Sequence, residues 1–116
     1  MKSIERRNGY LYLEYAEPYT FENFITISKQ VFETCKAEHY QKVLVNVSEM
    51  TGKVKALERF EIGVQGALIF RNKVKIAVLY RAEEIDWFAE TVSVNRGLNA
   101  RIFSEMEKAM EWLGVG

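Results

Sequence analysis

The sequence predicts an α/β domain, a mixed sheet of about five strands with about four helices, opened by a hairpin and continued by strand–helix units. Three observations carry this prediction. A run of period two, "YLYLEY", follows the pair Asn8-Gly9. Two short valine-rich runs, "KVLVNVSEM" and "KVKIAVLY", read as strands buried on both faces. Between and after them, apolar residues recur at helical spacing.

The first strand surrounds Ile4, and Asn8-Gly9 supplies the positive backbone angles of a tight hairpin turn. In the second strand Leu11, Leu13 and Tyr15 face one way and Tyr10, Tyr12 and Glu14 the other. Three tyrosines in six residues suit a strand partly exposed on its second face. Pro18 breaks the run, and Thr20 can cap the helix that follows. Phe21, Phe24, Ile25, Ser28, Val31, Phe32 and Cys35 make its apolar stripe, which fades near Glu38 or His39. After the strand in "KVLVNVSEM", Thr51-Gly52 turns the chain. A second helix is expected from about Val54 to Ile69, with Leu57, Phe60, Val64, Ala67 and Leu68 inward. Gly63 and Gly66 weaken it by up to about 1 kcal/mol each relative to alanine, which suggests close packing against a neighbour. After "KVKIAVLY", a third helix is expected to begin near Glu84 to Asp86, acids at its positive end, with Ile85, Phe88, Ala89 and Val92 inward. Gly97 stops it, "NARIF" is a short strand, and Ser104 with Glu107 has capping-box spacing for a last helix. Met106, Ala109, Met110 and Leu113 give that helix its inward face. The later strands are therefore expected to be parallel and joined by right-handed crossovers.

A chain of 116 residues fits one domain, residues 1–116, with one core. Sixteen basic residues balance sixteen acidic ones, so no overall field draws the chain to nucleic acid or an anionic membrane. One cysteine excludes an intramolecular disulfide and fits a reducing compartment. The start, "MKSIERRNG", lacks the apolar core of a signal peptide, and no apolar run approaches the roughly 20 residues that span a bilayer. The expectation is a cytoplasmic protein with no membrane span.

The segments "KVKIAVLY" and "FAETVSVNRGLNARIFSEMEKAMEWL" carry a resemblance. Lys75 to Leu79, Arg96-Gly97, Arg101 to Phe103, and Ala109 with Trp112-Leu113 resemble the "iAvv" strand, "RG…rvF" segment and closing "A…WL" helix of the SpoIIAA-like branch of the STAS family, with a CRAL-TRIO-like relationship. The similarity covers nearly the whole chain. It implies a single-domain SpoIIAA-like fold and a regulatory module that binds a partner kinase or anti-sigma factor. In those relatives a phosphoryl group on an Asp-Ser-Ser-Gly turn at a helix start switches binding. The nearest match here is Glu49-Met50-Thr51-Gly52. Met50 stands where the phosphorylated hydroxyl belongs, so Ser48 or Thr51 would have to substitute.

Ser48, Thr51 and Gly52 thus form a candidate phospho-acceptor turn. The plainer reading, which takes precedence, makes Ser48 and Thr51 turn and capping residues. Cys35 and His39 lie four residues apart, but a cysteine on an apolar stripe is ordinarily core, and no third group orients the pair. One His and one Cys do not make a zinc site. The acids Glu83, Glu84 and Asp86 are explained by a helix start, and Glu105, Glu107 and Glu111 by a solvated face. Gly63 and Gly66 lack the lysine and hydroxyl of a phosphate loop. Trp87 and Val94 on the third helix, with Ile62 and Ile69 on the second, lie opposite the expected core stripes. They form a candidate interaction surface.

The reading that follows is a non-enzymatic STAS-like interaction module, docking a protein partner of unknown identity or itself as a homodimer. No catalytic set converges, and neither a metal nor a cofactor is implied. The alternative is a carrier or sensor of a small apolar molecule such as a lipid, which would need an internal cavity of a few hundred Å3.

Overall fold

The computed structural model describes residues 2–71, 73–85 and 88–116, and all of their side chains except those of Phe88, Ala89 and Ser93. Strands β1 (Lys2–Arg7) and β2 (Tyr10–Tyr15) form the expected hairpin, with Gly9 at φ +85° in the turn. Helix α1 (Phe21–Glu38) leads to β3 (Lys42–Asn46), and α2 (Ala56–Phe70) to β4 (Lys75–Leu79). A 3-10 turn (Ala82–Glu84) and α3 (Phe88–Asn95) lead to β5 (Asn99–Phe103), and α4 (Met106–Leu113) closes the chain. The five strands lie side by side in sequence order. β1 is antiparallel to β2, and β2 to β5 are mutually parallel, as the mixed-sheet expectation required.

Alternation along the strands sorts side chains into two layers. Leu11, Leu13, Tyr15, Val43, Val45 and Ile76 face α1 and α2, where Ile27, Val31, Cys35, Ala67 and Phe70 meet them. On the other face Tyr10, Tyr12, Leu44 and Ala77 pack under Ala109 and Leu113 of α4. The tyrosine face of β2 was expected to be partly exposed. Instead Tyr10 and Tyr12 are buried, because α4 folds back over the sheet as the cover for that side.

Helix boundaries follow local chemistry with some displacements. The Thr20 hydroxyl accepts the Asn23 N–H at 3.2 Å and caps α1 as expected. His39 ends α1 and Arg71 ends α2, both in the left-handed conformation, which a side chain adopts at some cost. Near the expected start of the third helix, Ala82–Glu84 forms a separate 3-10 turn; Asp86 lies outside the described residues, and α3 is described over Phe88–Asn95. Gly97 does terminate α3, at φ +95°. The Ser104–Glu107 capping box is not formed. Glu105 takes the cap position, without a side-chain bond, and α4 begins one residue later than that box requires.

The inward face of α2 also needs correction. Leu57 and Leu68, expected inside, are 81% and 57% exposed. Ile62 and Ile69, expected outside, pack against the core, and Gly63, Ala67 and Phe70 are buried. Nearly every turn of this helix carries apolar residues on both sides, so spacing alone leaves its rotation undetermined. Gly66 supports the close-packing idea, since a Cβ there would meet Leu98 Cδ2 at 3.4 Å.

Helix α4 is held at both levels of chemistry. Ala109 and Leu113 are fully buried. The Lys75 ammonium donates to the Trp112 carbonyl at 2.6 Å and lies 4.4 Å from the centre of the Trp112 ring. A cation at a helix C-terminus is favoured by the helix dipole. Phe103 packs on Trp112 at 5.7 Å between ring centres. At the opposite edge of the sheet, β1 exposes Lys2, Glu5, Arg6 and Arg7. Arg6 pairs with Glu38 of α1, and the Arg7 guanidinium pairs with Glu5 and covers the Tyr12 ring at 3.9 Å.

Two stability experiments check this packing. Leu113→Ala empties a fully buried site and should lower unfolding stability by about 2–5 kcal/mol in a denaturant titration. Leu57→Ala should change it by less than about 0.5 kcal/mol. The second concerns pH. Burial pushes the Cys35 thiol up to about 11 from 9.0. The unfolded chain loses that proton first, so the stabilisation is whole below pH 9.0 and disappears as pH rises through about 11. Between those limits wild type should lose stability more steeply than Cys35→Val, and native Cys35 should resist thiol reagents at pH 8.

Candidate functional site

The turn after β3 is built from Asn46. Its side-chain oxygen accepts the Ser48 N–H at 3.0 Å and the Ser48 hydroxyl at 2.6 Å, while its Nδ2 donates to the Tyr12 hydroxyl at 2.8 Å. Ser48 is therefore already engaged as a turn residue. Met50 is buried beneath the turn. Thr51 is exposed, and its carbonyl accepts the Tyr19 N–H at 2.8 Å, tying the turn to the segment after β2. Gly52 takes φ +86°, a conformation that a side chain would strain, and its Cα faces Tyr19.

Arg81 completes the arrangement and was not singled out in the sequence. One guanidinium nitrogen donates to the Ser48 carbonyl at 2.8 Å and to the Met50 carbonyl at 2.7 Å. The signal that would have found it is its position: it lies two residues past the end of β4, the parallel neighbour of β3, so it emerges beside the 48–52 turn. The turn is thus fixed from β2, β3 and β4 at the carboxyl ends of parallel strands, where open α/β sheets place their ligand sites. It is separated from the helix N-terminus that the resemblance implies, because Lys53, Val54 and Lys55 intervene before α2.

The candidate surface on α2 and α3 is only partly assembled. Val94 is 47% exposed on α3. Ile62 and Ile69 do not join it, because they turn toward the core. Trp87 lies outside the described residues. The outward apolar residues of α2 are instead Leu57 and Leu68, which lie about three helical turns apart and within ~20° of one another around the axis. Together with Val94 these are the large hydrophobic side chains that stand exposed among the described residues.

The other candidates remain structural. Cys35 is buried and free, and its raised pKa opposes the thiolate that a nucleophile needs. His39 is an exposed cap residue. Among the described residues no group of three or more His, Cys, Asp or Glu is placed to hold a metal ion. Asp86, the last of the acids near the 3-10 turn, lies outside the described residues. Glu105, Glu107 and Glu111 are exposed. Among the described residues no helix is long and apolar enough to cross a membrane.

Neither a protein-family model nor a curated protein sequence matches this chain. Solved structures do. An anti-sigma factor antagonist from Mycobacterium paratuberculosis superposes with a TM-score of 0.65 over 98% of this chain and 93% of its own, at 7% sequence identity. An uncharacterised protein of the DUF3478 family with a SpoIIAA-like fold, from Shewanella loihica PV-4, superposes with a TM-score of 0.58 over 97% of this chain and 92% of its own, at 18% identity. With a mixed sheet of five strands, four helices and superposition along nearly the whole chain, this protein has the SpoIIAA-like, STAS-like fold.

Proposed function

We propose that the chain is a non-enzymatic regulatory module that docks a protein partner on the outward face of the α2–α3 pair. One observation carries the reading: the exposed large hydrophobics among the described residues, Leu57, Leu68 and Val94, all lie on these two packed helices. Leu57 and Leu68 share one side of α2, and apolar residues gathered in this way mark an interaction site more strongly than the same residues scattered. The shared fold with an anti-sigma factor antagonist supports a regulatory role. The partner is either another protein or a second copy of the chain.

The finer form of the reading is a phosphoryl switch on the 48–52 turn. Thr51 is the hydroxyl residue that stands exposed there, whereas the Ser48 hydroxyl is bonded to Asn46. A phosphate on Thr51 would place up to about two negative charges at the edge of the turn and repel an acidic partner.

Two measurements test this. Sedimentation of protein purified gently from its host should show a complex heavier than the monomer. Leu57→Glu with Leu68→Glu should dissolve that complex while leaving the thermal midpoint nearly unchanged. A wild-type monomer, or a complex indifferent to both substitutions, would count against this surface. In host extract with labelled ATP, Thr51→Ala should lose phosphate incorporation and Ser48→Ala should retain it. Labelling that survives Thr51→Ala would exclude Thr51 as the acceptor.

A further inference from the structure

A recess opens at the amino ends of the parallel strands, the end opposite the 48–52 turn. Its walls come from the last turns of α1, from Gln41 just before β3, and from Lys73 and Val74 just before β4. β3 and β4 are parallel neighbours, so these entry loops lie side by side, and the Gln41 carbonyl accepts the Lys75 N–H at 2.8 Å between them. The chain leaving α1 is drawn back onto the helix end. There the Cys35 carbonyl accepts the His39 N–H and, at 3.0 Å, the Tyr40 N–H. The recess has a volume of about 220 Å3.

Its lining divides into two parts. Cys35 and Val74 are buried and, with Phe32, supply the apolar part. Lys36, His39 and Lys73 stand exposed around it, and no carboxylate is among the described residues of its wall. Other cations of this rim are engaged. Arg6 pairs with Glu38, the Arg71 Nε donates to the Leu68 carbonyl, and the Lys75 ammonium donates to the Trp112 carbonyl. Lys36 meets only the exposed Glu33, at 3.8 Å, and among the described residues the Lys73 ammonium makes no hydrogen bond or ion pair. A lysine near a helix C-terminus offsets the helix dipole, which accounts for Lys36 alone. It does not account for two ammonium groups and a histidine around one recess that lacks acids. A cleft lined by charge of one sign concentrates ions of the other.

We propose that this recess binds a small phosphomonoester, with its phosphoryl oxygens between the Lys36 and Lys73 ammonium groups beside His39, and its organic part against Phe32 and Val74. The donors suit a phosphoryl group. An ammonium is a point charge that serves tetrahedral phosphate oxygens, whereas a flat carboxylate is better matched by the arginine fork, and no arginine is among the described residues of the wall. Two ammonium charges also match a group that carries up to about two negative charges. The Tyr40 hydroxyl and the Gln41 amide belong to the same wall and are of the type that adds hydrogen bonds to such oxygens. The volume falls below the roughly 300 Å3 where drug-sized pockets begin, which limits the organic part to about one ring or a few carbons. This site shares no residue with the outer face of α2 and α3 and stands or falls independently of docking there.

The test is titration of the intact chain with phenyl phosphate and, separately, with inorganic phosphate and benzoate at pH 7.5, followed by amide NMR and thermal midpoint. Phenyl phosphate should shift the amide signals of His39, Gln41 and Lys73 saturably, leave those of the 48–52 turn in place, and raise the midpoint. Lys36→Gln with Lys73→Gln should bind it roughly tenfold more weakly. Without ligand this variant should melt close to wild type, because both side chains are exposed. Lys53→Gln with Lys55→Gln removes the same charge at the far rim and should leave binding unchanged. Absence of saturable shifts up to about 10 mM, binding unchanged in the first variant, or equal weakening in both would overturn the site. Benzoate binding as tightly as phenyl phosphate would overturn the phosphoryl head, and inorganic phosphate binding as tightly would overturn the place of the organic part.

Discussion

The constraint on which the rest of this molecule depends is its strand order. Five strands placed in sequence order, four of them parallel, must be linked by crossovers that all step in the same direction. Crossovers of one hand stepping one way land on one face of the sheet. The helices α1, α2 and α3 are therefore stacked together, and the second face would be bare without a further element. That element is α4, only eight residues long. Its brevity explains why two of its side chains are fully buried and why Lys75 reaches up to its last turn.

The same order brings the functional candidates together. Each parallel strand delivers its following loop to one rim: Pro18 and Tyr19 after β2, the 48–52 turn after β3, Tyr80 and Arg81 after β4. Cross-links between these loops all end on backbone carbonyls of the 48–52 turn, which accept from the Tyr19 N–H and from the Arg81 guanidinium. A rim tied in this way can keep its shape while its exposed residues vary, which is how one fold comes to serve many tasks.

Much of this fold was legible because its signals were local. Gly9, Thr20 and Gly97 each act through their own backbone neighbours and perform their expected roles, although Asn8 does not share the positive φ of Gly9. The two valine-rich strands are apolar on both faces and are buried on both. The rotation of α2 was not legible, because Leu57, Ile62, Leu68 and Ile69 surround the helix and only the sheet beneath decides which of them face in. The burial of Tyr10 and Tyr12 depends on α4, nearly a hundred residues away in sequence. The candidate turn was found from Ser48, Thr51 and Gly52, but its clamp, Arg81, belongs to the loop after β4, and only the parallel pairing of β3 with β4 shows that the two loops are neighbours.

The charged outer strand has a consequence for how this protein meets others. A sheet with an open edge invites another chain to extend it, and exposed charges on that edge are a common defence. On β1, Arg6 and Arg7 are held in ion pairs with Glu38 and Glu5, so an incoming strand would have to lie beside ordered charge. Growth by adding strands, the route to fibres and to indiscriminate pairing, is thereby discouraged along that margin. Association is directed away from the backbone's own hydrogen-bonding groups, toward side-chain surfaces that can discriminate one partner from another.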